Sequence, residues 1–355
     1  MTVATADEIK TGGGEAALSL ARAGAAFVGS LVLTLLGLTA VTFSIGRFIP
    51  VDPVLAIVGD HASRETYEKT RLALGLDRSI PEQYFIYLRK VLSGDFGTSV
   101  ITSHSVLSDI LQFFPATFEL ATIATILGVL IGVPSGVVAA ARKDRWVDQL
   151  IRLIGLFGYS MPVFWLGLVG LALFYGRLGW VAGPGRLDVG YDDIVAPRTG
   201  VILIDSALAG EWGVFQNAAS HLVLPASILG YYSLAYIARM TRSFMIEQLS
   251  QEYVIAARIK GRSFWGAVWG HAFPNIMVPL ITVIGLTYAS LLEGAVLTET
   301  VFAWPGLGQY ITQSLFNADM NAVLGGTLMV GAVFIGVNLL CDFLYKVFDP
   351  RLRAA

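Results

Sequence analysis

The sequence predicts an all-α polytopic membrane protein with six transmembrane helices. The 355-residue chain is 55% hydrophobic and only 14% charged, whereas soluble domains carry about 25% charged residues. Its mean hydropathy is +0.67, and six stretches without Asp, Glu, Lys or Arg reach the ~20 residues that a membrane-spanning helix needs. The net charge of −2 argues against a nucleic-acid-binding protein with a basic face.

The six apolar stretches define the predicted helices. They are Ala23–Gly46, Leu120–Ala141, Leu153–Gly176, Trp212–Ala238, Ser263–Leu292 and Met320–Cys341. The fourth and fifth exceed the length that a bilayer requires, so we place their polar ends outside the hydrocarbon. The predicted helices therefore cover residues 24–47, 116–141, 151–175, 221–241, 276–297 and 321–345.

The charge distribution predicts that both termini lie in the cytosol. With the N-terminus inside, 14 of the 24 basic residues fall on the cytosolic side, as expected from the enrichment of Lys and Arg in short cytosolic loops. The predicted organisation is a cytosolic tail (1–22), a first transmembrane helix (23–49), a large extracytoplasmic loop (50–115), a five-helix core (116–345) that contains the polar segment 242–275, and a cytosolic tail (346–355).

Both large outer segments show local structural signals. Ser79–Val91 has Pro81 at a helix start and apolar residues at helical spacing, which predicts a helix on or above the outer surface. Residues 177–218 are rich in Gly, Pro and Asp, which predicts an ordered, irregular loop. Two interpretations stay open for these segments: docking of an extracytoplasmic protein, or a structural cap over the helix bundle.

The sequence contains no motif typical of an enzyme. Asp95-Phe96-Gly97 resembles a kinase magnesium motif, but neither a Gly-rich phosphate loop nor a catalytic loop accompanies it. The sequence has no Gly-Lys dipeptide, which excludes a P-loop for ATP. Its four histidines are scattered without metal-ligand spacing. We therefore predict a non-catalytic chain that binds no metal or cofactor.

The polar segment 242–275 lies between two long apolar stretches and has a helix–turn–helix pattern. Ala256 and Ala257 give a smooth face to a helix through Glu252–Lys260, and Gly261 can end that helix. A following apolar stripe suits packing back onto the bundle; it comprises Phe264, Trp265, Val268 and Trp269. The simple interpretation of such a basic loop is contact with anionic lipid. The helical pattern favours a rigid docking element for a partner in the water.

Ionisable residues near the membrane suggest a transport path, because burying them there is costly. Glu293 and Glu299, near the outer end of the fifth helix, are candidates for lining it, together with Tyr159 in the third helix. For Glu293 the alternative is an interfacial carboxylate bound to solvent or backbone. The many glycines in the spans are interpreted as packing residues, since small side chains let membrane helices approach closely.

Fragments of the polar segment occur at fixed spacing. Ile255-Ala256-Ala257 precedes Gly261, and His271-Ala-Phe273-Pro274 follows after nine intervening residues. This arrangement resembles the cytosolic coupling motif of bacterial ABC-importer permeases, E-A-A-x-x-x-G then I-x-L-P. Ile255, His271 and Phe273 depart from it. The dipeptide/oligopeptide/nickel branch of that family has a version that this sequence fits closely through Glu252-Tyr253-Val254, Ala257-Arg258 and Lys260-Gly261.

The resemblance to this branch extends along nearly the whole chain in matching order. The further fragments are Pro50-Val-Asp52-Pro53, Leu74-Gly75-Leu76-Asp77, Gln83-Tyr84, Gly94-Asp95-Phe96-Gly97-Thr98-Ser99, Pro115-Ala-Thr117-Phe-Glu119-Leu120, Pro162-x-Phe164-Trp165-Leu166-Gly167, Leu224-Pro225-Ala226, Glu299-Thr-Val-Phe302-x-Trp304-Pro305-Gly306-x-Gly308 and Asp349-Pro350-Arg351. Asn317–Asn321 departs from the acidic-aromatic-proline turn that is typical of the branch, so a different local loop is expected there.

The resemblance implies the fold of a type I ABC-importer permease, with cytosolic coupling helices, in the bacterial inner membrane. It also implies four kinds of partner: a second permease subunit, two ATPase subunits that bind ATP and Mg²⁺, an extracytoplasmic solute-binding protein, and membrane lipid. The expected ATPase-coupling residues are Glu252, Tyr253, Ala256, Ala257, Arg258, Lys260, Gly261 and Arg262. Candidates for contact with the binding protein are Asp95, Phe96 and Trp304.

The implied function is ATP-driven import of peptides or a similar small solute by alternating access. Import of a nickel chelate or another non-peptide solute is an open alternative within the same family. An ATP-independent secondary transporter is the alternative from another class. It predicts internal repeats and interrupted helices at corresponding positions, and the sequence has no convincing internal repeat.

Overall fold

The computed structural model describes residues 28–47, 53–59, 61–73 and 75–348, a part of the chain that is helical and has no β-strand. The predicted tail 1–22 lies outside the described residues, and so do residues 349–355 of the other tail. The chain divides into two compact units, 1–95 and 96–355.

The first unit contains four described helices. They are α1 (Val28–Arg47), α2 (Pro53–Val58), α3 (Arg64–Ala73) and α4 (Ile80–Leu92). The helix predicted over residues 79–91 is confirmed as α4, with Pro81 in its first turn. Glu82 accepts a hydrogen bond from the Ser79 backbone N–H at 3.1 Å, which satisfies a donor at the helix start.

Two tyrosines attach α4 to α1. The Tyr84 hydroxyl lies 3.0 Å from the Thr39 hydroxyl, and the Tyr87 hydroxyl lies 3.1 Å from that of Thr42. The Phe43 ring packs against both tyrosines at centroid distances of 5.4 and 5.6 Å. Both the hydroxyl groups and the rings of these tyrosines therefore contact α1. This shared contact explains why tyrosine recurs at helical spacing in α4.

The second unit is built on helices α5 to α14. They are α5 (Val106–Ala141), α6 (Trp146–Ser160), α7 (Val163–Gly170), α8 (Ile202–Ala209), α9 (Trp212–Leu249), α10 (Glu252–Ile259), α11 (Phe264–Ala267), α12 (Met277–Val301), α13 (Leu307–Phe316) and α14 (Met320–Phe348). A π-helical stretch, Leu171–Arg177, continues α7. Five helical stretches in the described residues can each cross a membrane, and six result when the pair α6–α7 counts as one span.

The third predicted span is not one helix. The expectation over residues 151–175 was wrong, because α6 and α7 are bent by 96° at Met161 and Pro162. Met161 has φ −89° and ψ 135°, the extended conformation that a following proline favours. The 177–218 loop prediction also needs correction: this region contains the helix α8, and α9 already begins at Trp212.

The core of the second unit is the close crossing of α5 and α9. A Cβ atom on Gly128 would lie 2.2 Å from the Ser233 Oγ, and one on Gly136 would lie 2.5 Å from the Ala238 carbonyl oxygen. A Cβ atom on Gly132, between them, would lie 3.0 Å from the Leu234 carbonyl oxygen. Glycine at every fourth position therefore lets the two backbones meet, and the interpretation of these glycines as packing residues is confirmed.

An ion pair joins α6 to α9 at the same end of the bundle as Gly136. Arg242 donates to the two carboxylate oxygens of Asp148 at 2.6 and 2.7 Å. The Asp148 side chain is fully buried, and the Asp144 backbone N–H donates to it at 2.9 Å. A buried carboxylate is tolerated here because each of its oxygens has a donor.

Candidate functional site

The segment 242–275 forms the predicted helix–turn–helix. α10 ends in a Schellman motif: the Arg262 N–H donates to the Ala257 carbonyl at 3.1 Å, and the Gly261 N–H donates to that of Arg258 at 3.0 Å. Gly261 has φ +91°, a left-handed conformation that glycine adopts without strain. Ser263 then caps α11, accepting from the Gly266 N–H. The turn chemistry expected from the sequence is therefore present at Gly261.

α10 is held on the bundle by one buried side chain. Val254 is 2% exposed and belongs to a core cluster with Ala267, Val268 and Met245. The other residues proposed for coupling lie mainly on the surface. Six are exposed (Glu252, Tyr253, Ala256, Arg258, Lys260 and Arg262). Gly261 is also exposed, and Ala257 is half-buried.

The cations around Gly261 are not neutralised within the described residues. No carboxylate in that part of the chain lies within 4.0 Å of the side-chain nitrogens of Arg258, Lys260 or Arg262. Arg258 lies over the Phe264 ring at 5.4 Å, a cation–π contact that orients its guanidinium. The segment therefore presents a rigid surface with positive charge.

The apolar stripe after Gly261 packs less than the sequence predicts. Val268 is fully buried, but Phe264, Trp265 and Trp269 remain 38%, 40% and 41% exposed. Val268 therefore packs on the bundle as expected, whereas the three aromatic residues pack only in part. The chain passes from α11 into a π-helical turn, Val268–Ala272, in which Trp269 packs against the Phe273 ring at a centroid distance of 4.9 Å.

Glu299 is a buried carboxylate with protein donors on both oxygens. Its Oε1 accepts from the Thr117 hydroxyl at 2.6 Å, and its Oε2 accepts from the Gln309 N–H at 2.9 Å. A Cβ atom on Gly306 or Gly308 would lie within 2.4 to 2.8 Å of this carboxylate. In this conformation Glu299 holds the loop after α12 against α5, and its carboxylate is enclosed by protein.

Trp304 anchors the same loop. Its side chain is fully buried, and its Nε1 donates to the Ala116 carbonyl at 2.9 Å. In this conformation the side chain has no surface that a binding protein could touch, and its assignment as a docking residue stays a prediction. The Arg186 guanidinium lies 5.8 Å from the Trp304 ring centroid and donates through Nε to Glu119 at 3.1 Å. These contacts fix the loop 178–201 to α5.

Two buried aspartates fix the loop after Phe96, and neither has a role predicted from the sequence. Asp319 accepts from the Ser99 hydroxyl at 2.6 Å and from the Val100 N–H at 2.7 Å. Asp109 accepts from the Tyr310 hydroxyl at 2.9 Å, and burial followed by this hydrogen bond raises the pKa of Tyr310 well above its usual range. Asp319 lies in the Asn317–Asn321 stretch. The departure of this stretch from the family pattern was the sequence signal for a different local loop there.

The remaining candidates lie in different places. Phe96 is half-buried beside Val106. Asp95 is exposed in the first unit. Glu293 is exposed and borders a cavity of about 10 Å³, which holds at most one water. Tyr159 is half exposed and stacks on Tyr232 at a centroid distance of 5.9 Å. The described residues therefore show no peptide-sized cavity at Glu293.

Comparison with protein families identifies the chain. Residues 132–354 match the model of the binding-protein-dependent transport system inner membrane component, and residues 25–121 match the N-terminal model of the same component. The chain belongs to this family. It is accordingly a multi-pass inner-membrane protein of a binding-protein-dependent transport system, as the resemblance implied.

Curated relatives match over almost their full length. A probable D,D-dipeptide transport system permease protein, DdpB of Escherichia coli K12, is 44% identical over 91% of this chain and 94% of its own. The di/tripeptide permease DppB of Pseudomonas aeruginosa is 41% identical over 92% and 97%. The dipeptide permease DppB of E. coli K12 is 40% identical over the same shares. A solved methionine ABC transporter, MetNI, reaches a TM-score of only 0.48 at 17% identity, over 66% of this chain and 93% of that one.

Proposed function

We propose that this chain is the permease subunit of an ATP-driven importer of short peptides. The observation that carries the proposal is the near full-length similarity to relatives described as dipeptide and di/tripeptide permeases. The permease would move substrate by alternating access, with a second permease subunit beside it. ATP and Mg²⁺ would bind to two separate ATPase subunits, and an extracytoplasmic binding protein would deliver the peptide.

The segment 242–275 is proposed to dock on an ATPase subunit. Three properties support this role: an α-helix ended by a Schellman turn, an anchor at Val254, and exposed cations around Gly261. ATP binding would bring the two ATPase subunits together and move this segment. The permease needs no chemistry of its own, because a ligand shifts a conformational equilibrium by its different affinity for the two states.

Uptake by the reconstituted transporter tests the proposed function. Proteoliposomes that contain both permeases and both ATPases should accumulate a labelled dipeptide when binding protein and ATP are supplied. Accumulation without the ATPases, driven by an ion gradient, would instead identify a secondary transporter. Accumulation of a nickel chelate but not of the dipeptide would identify the other importer class.

The docking role has a closely matched control. Gly261→Asp should abolish co-purification of the ATPases while leaving membrane insertion intact. Gly210 follows α8 with φ +75°, and the N–H of Glu211 donates to the Ser206 carbonyl as in the turn at Gly261. Gly210→Asp therefore imposes a similar backbone strain outside the segment and should keep the ATPases bound. Normal co-purification and transport with Gly261→Asp would exclude the docking role.

The orientation follows from labelling with a membrane-impermeant maleimide. In a Cys341→Ser background, Lys260→Cys should react only from the cytosolic side, and Val189→Cys, on the 178–201 loop, only from the outside. Both positions are exposed. The reverse pattern would overturn the proposed placement of the termini in the cytosol.

A further inference from the structure

Arg239 on α9 lies between two aromatic rings. Its guanidinium carbon is 4.9 Å from the centroid of Tyr159 and 5.3 Å from that of Tyr236. Tyr159, the penultimate residue of α6, stacks in turn on Tyr232 with an interplanar angle of 11°. Four polar side chains from two helices thus form one cluster, which we call the Arg239 cluster. Tyr159 places one side of this cluster next to the bend between α6 and α7.

The Arg239 cluster has no acidic partner within the described residues. Arg242, one turn further along α9, is paired with Asp148, and Arg186 is paired with Glu119. No carboxylate in the described part of the chain lies within 4.0 Å of Arg239. The same helix therefore carries one neutralised arginine and one whose charge is available.

The position in the bilayer makes this free charge informative. α9 has 38 residues and, at 1.5 Å per residue, is about 57 Å long. If the helix is centred in the membrane, Arg239 lies about 13 Å from the midplane, close to the cytosolic edge of the ~15 Å half-thickness of the hydrocarbon core. At this level an arginine either reaches the cytosolic interface with its long side chain or faces a water-filled path.

The tyrosines favour contact of the cluster with water over contact with acyl chains. In the described residues, the hydroxyls of Tyr159, Tyr232 and Tyr236 have no hydrogen-bond partner, whereas the neighbouring Tyr231 donates to the Ile154 carbonyl at 2.6 Å. Three such hydroxyls and a guanidinium facing acyl chains would lose their hydrogen bonds to water. The cluster is therefore suited to a polar ligand with a planar anionic group, held by the guanidinium fork.

We propose that the Arg239 cluster binds the terminal carboxylate of the peptide on its way through the permease. This inference rests on the proposed function. Every linear peptide carries that carboxylate whatever its side chains, so a single arginine can recognise the whole substrate class. Tyr159 and Tyr236 hold the guanidinium by cation–π contact, and their hydroxyls can donate to the same anion.

Photolabelling of the complete transporter tests this inference. The complex is placed in phosphatidylcholine nanodiscs without binding protein and irradiated with alanyl-photoleucine, a dipeptide with a free carboxylate and a diazirine side chain. Labelled peptides are mapped by mass spectrometry. We expect labelling on α6 and α9 near Tyr159 and Tyr236, competed by Ala-Leu but not by its C-terminal amide. Label found only elsewhere, or equal competition by the amide, would overturn the proposal.

Variants test whether Arg239 is responsible for this labelling. Arg239→Gln should lower this labelling about tenfold or more, because it removes charge-assisted hydrogen bonds. Arg239→Lys should give an intermediate loss, since it keeps the charge without the planar fork. Arg152→Gln on α6, an exposed arginine outside the cluster, should leave it unchanged. Equal labelling of Arg239→Gln and wild type would refute the role of Arg239.

Two further measurements distinguish a peptide site from a lipid site and from a different transport function. Strong loss of wild-type labelling in phosphatidylglycerol nanodiscs, with uptake unaffected, would show that the cluster holds lipid phosphate, and the proposal would fail.

Uptake of Ala-Leu by the wild-type transporter shows whether the inference alone is wrong or the proposed function is wrong as well. If uptake is present but labelling does not depend on Arg239, only the inference is wrong. If no peptide is taken up, the proposed function is wrong.

Discussion

Arg242 and Asp148 form a two-bond ion pair whose carboxylate is completely buried between α6 and α9. The arginine side chain keeps 21% of its surface exposed, so the two partners are unequally desolvated. Loss of the arginine therefore leaves a buried negative charge, whereas loss of the aspartate leaves a cation that can still reach solvent. The stability of α6 against α9 should depend most strongly on the arginine.

Removing the arginine should destabilise the permease strongly. We expect Arg242→Gln to lower the free energy of unfolding in detergent by about 3 kcal/mol, because it leaves Asp148 buried without its counter-charge. Arg64→Gln, an exposed arginine at the start of α3, should change it by less than about 0.5 kcal/mol. Similar unfolding curves for the two variants would show that the ion pair contributes little.

Adding a methyl group to the α5–α9 crossing should also be costly. In Gly136→Ala the new Cβ would meet the Ala238 carbonyl oxygen at 2.5 Å and the Thr241 Cβ at 2.7 Å, so we expect a loss of about 1–3 kcal/mol from overpacking. Gly294 on α12 has no atom within 4 Å of a new Cβ. Gly294→Ala should gain up to about 1 kcal/mol from helix propensity. Thermal melting of both variants measures the difference, and equal melting temperatures would contradict the close crossing.

The carboxylate of Glu299 should stabilise the loop that contains Trp304. In Glu299→Leu the buried donors at Thr117 and Gln309 lose their acceptor, at a cost of about 1–3 kcal/mol each. We therefore expect a total loss of at least about 2 kcal/mol in unfolding experiments. Glu293→Leu, six residues earlier at an exposed position of α12, is the matched control and should retain wild-type stability. The structural role of Glu299 is refuted if the two variants unfold alike.

Asp205 should make the stability of the permease depend on pH in the acid range. Its burial raises the pKa, but hydrogen bonds from the backbone N–H groups of Thr199, Arg198 and Gly200 outweigh this effect, and the pKa lies below its usual value. A lowered pKa contributes stability above the pKa of the unfolded chain, about 3.9. This contribution is lost as the pH falls through the lower folded value.

The measurement compares Asp205→Asn with wild type at pH 5 and below pH 3. The variant should be less stable by about 1–2 kcal/mol at pH 5, and the difference should shrink toward the lower pH, where the wild-type carboxyl is protonated as well. Asp192→Asn, an exposed aspartate in the same outer loop, should show no such dependence. A difference between Asp205→Asn and wild type that stays constant with pH would rule out the titration of Asp205 as its cause.

Local signals in the sequence were sufficient for several elements. The helix α4 follows from Pro81 and the periodic apolar residues, and the left-handed turn at Gly261 follows from a glycine after an amphipathic stretch. The membrane helices follow from their apolar length. In each case the residues that determine the structure are neighbours along the chain.

Features that depend on distant residues were not predictable. The roles of Glu299 and Asp319 are set by Thr117 and Ser99, 182 and 220 residues away along the chain. The bend at Met161 was missed for a different reason: a stretch defined by the absence of charged residues has no directional information, so two short apolar helices look like one long one. The Arg239 cluster likewise needs α6 and α9 together, and the sequence indicated only Tyr159.

The single buried side chain of α10 has a mechanical consequence. Val254 is the only buried residue of this helix, so force applied to α10 from outside enters the bundle essentially at one point. A contact through a single side chain transmits a pushing force but little torque. If an ATPase seated on α10 tilts as it closes, we expect part of the tilt to be absorbed at Val254, so that the bundle receives more translation than rotation.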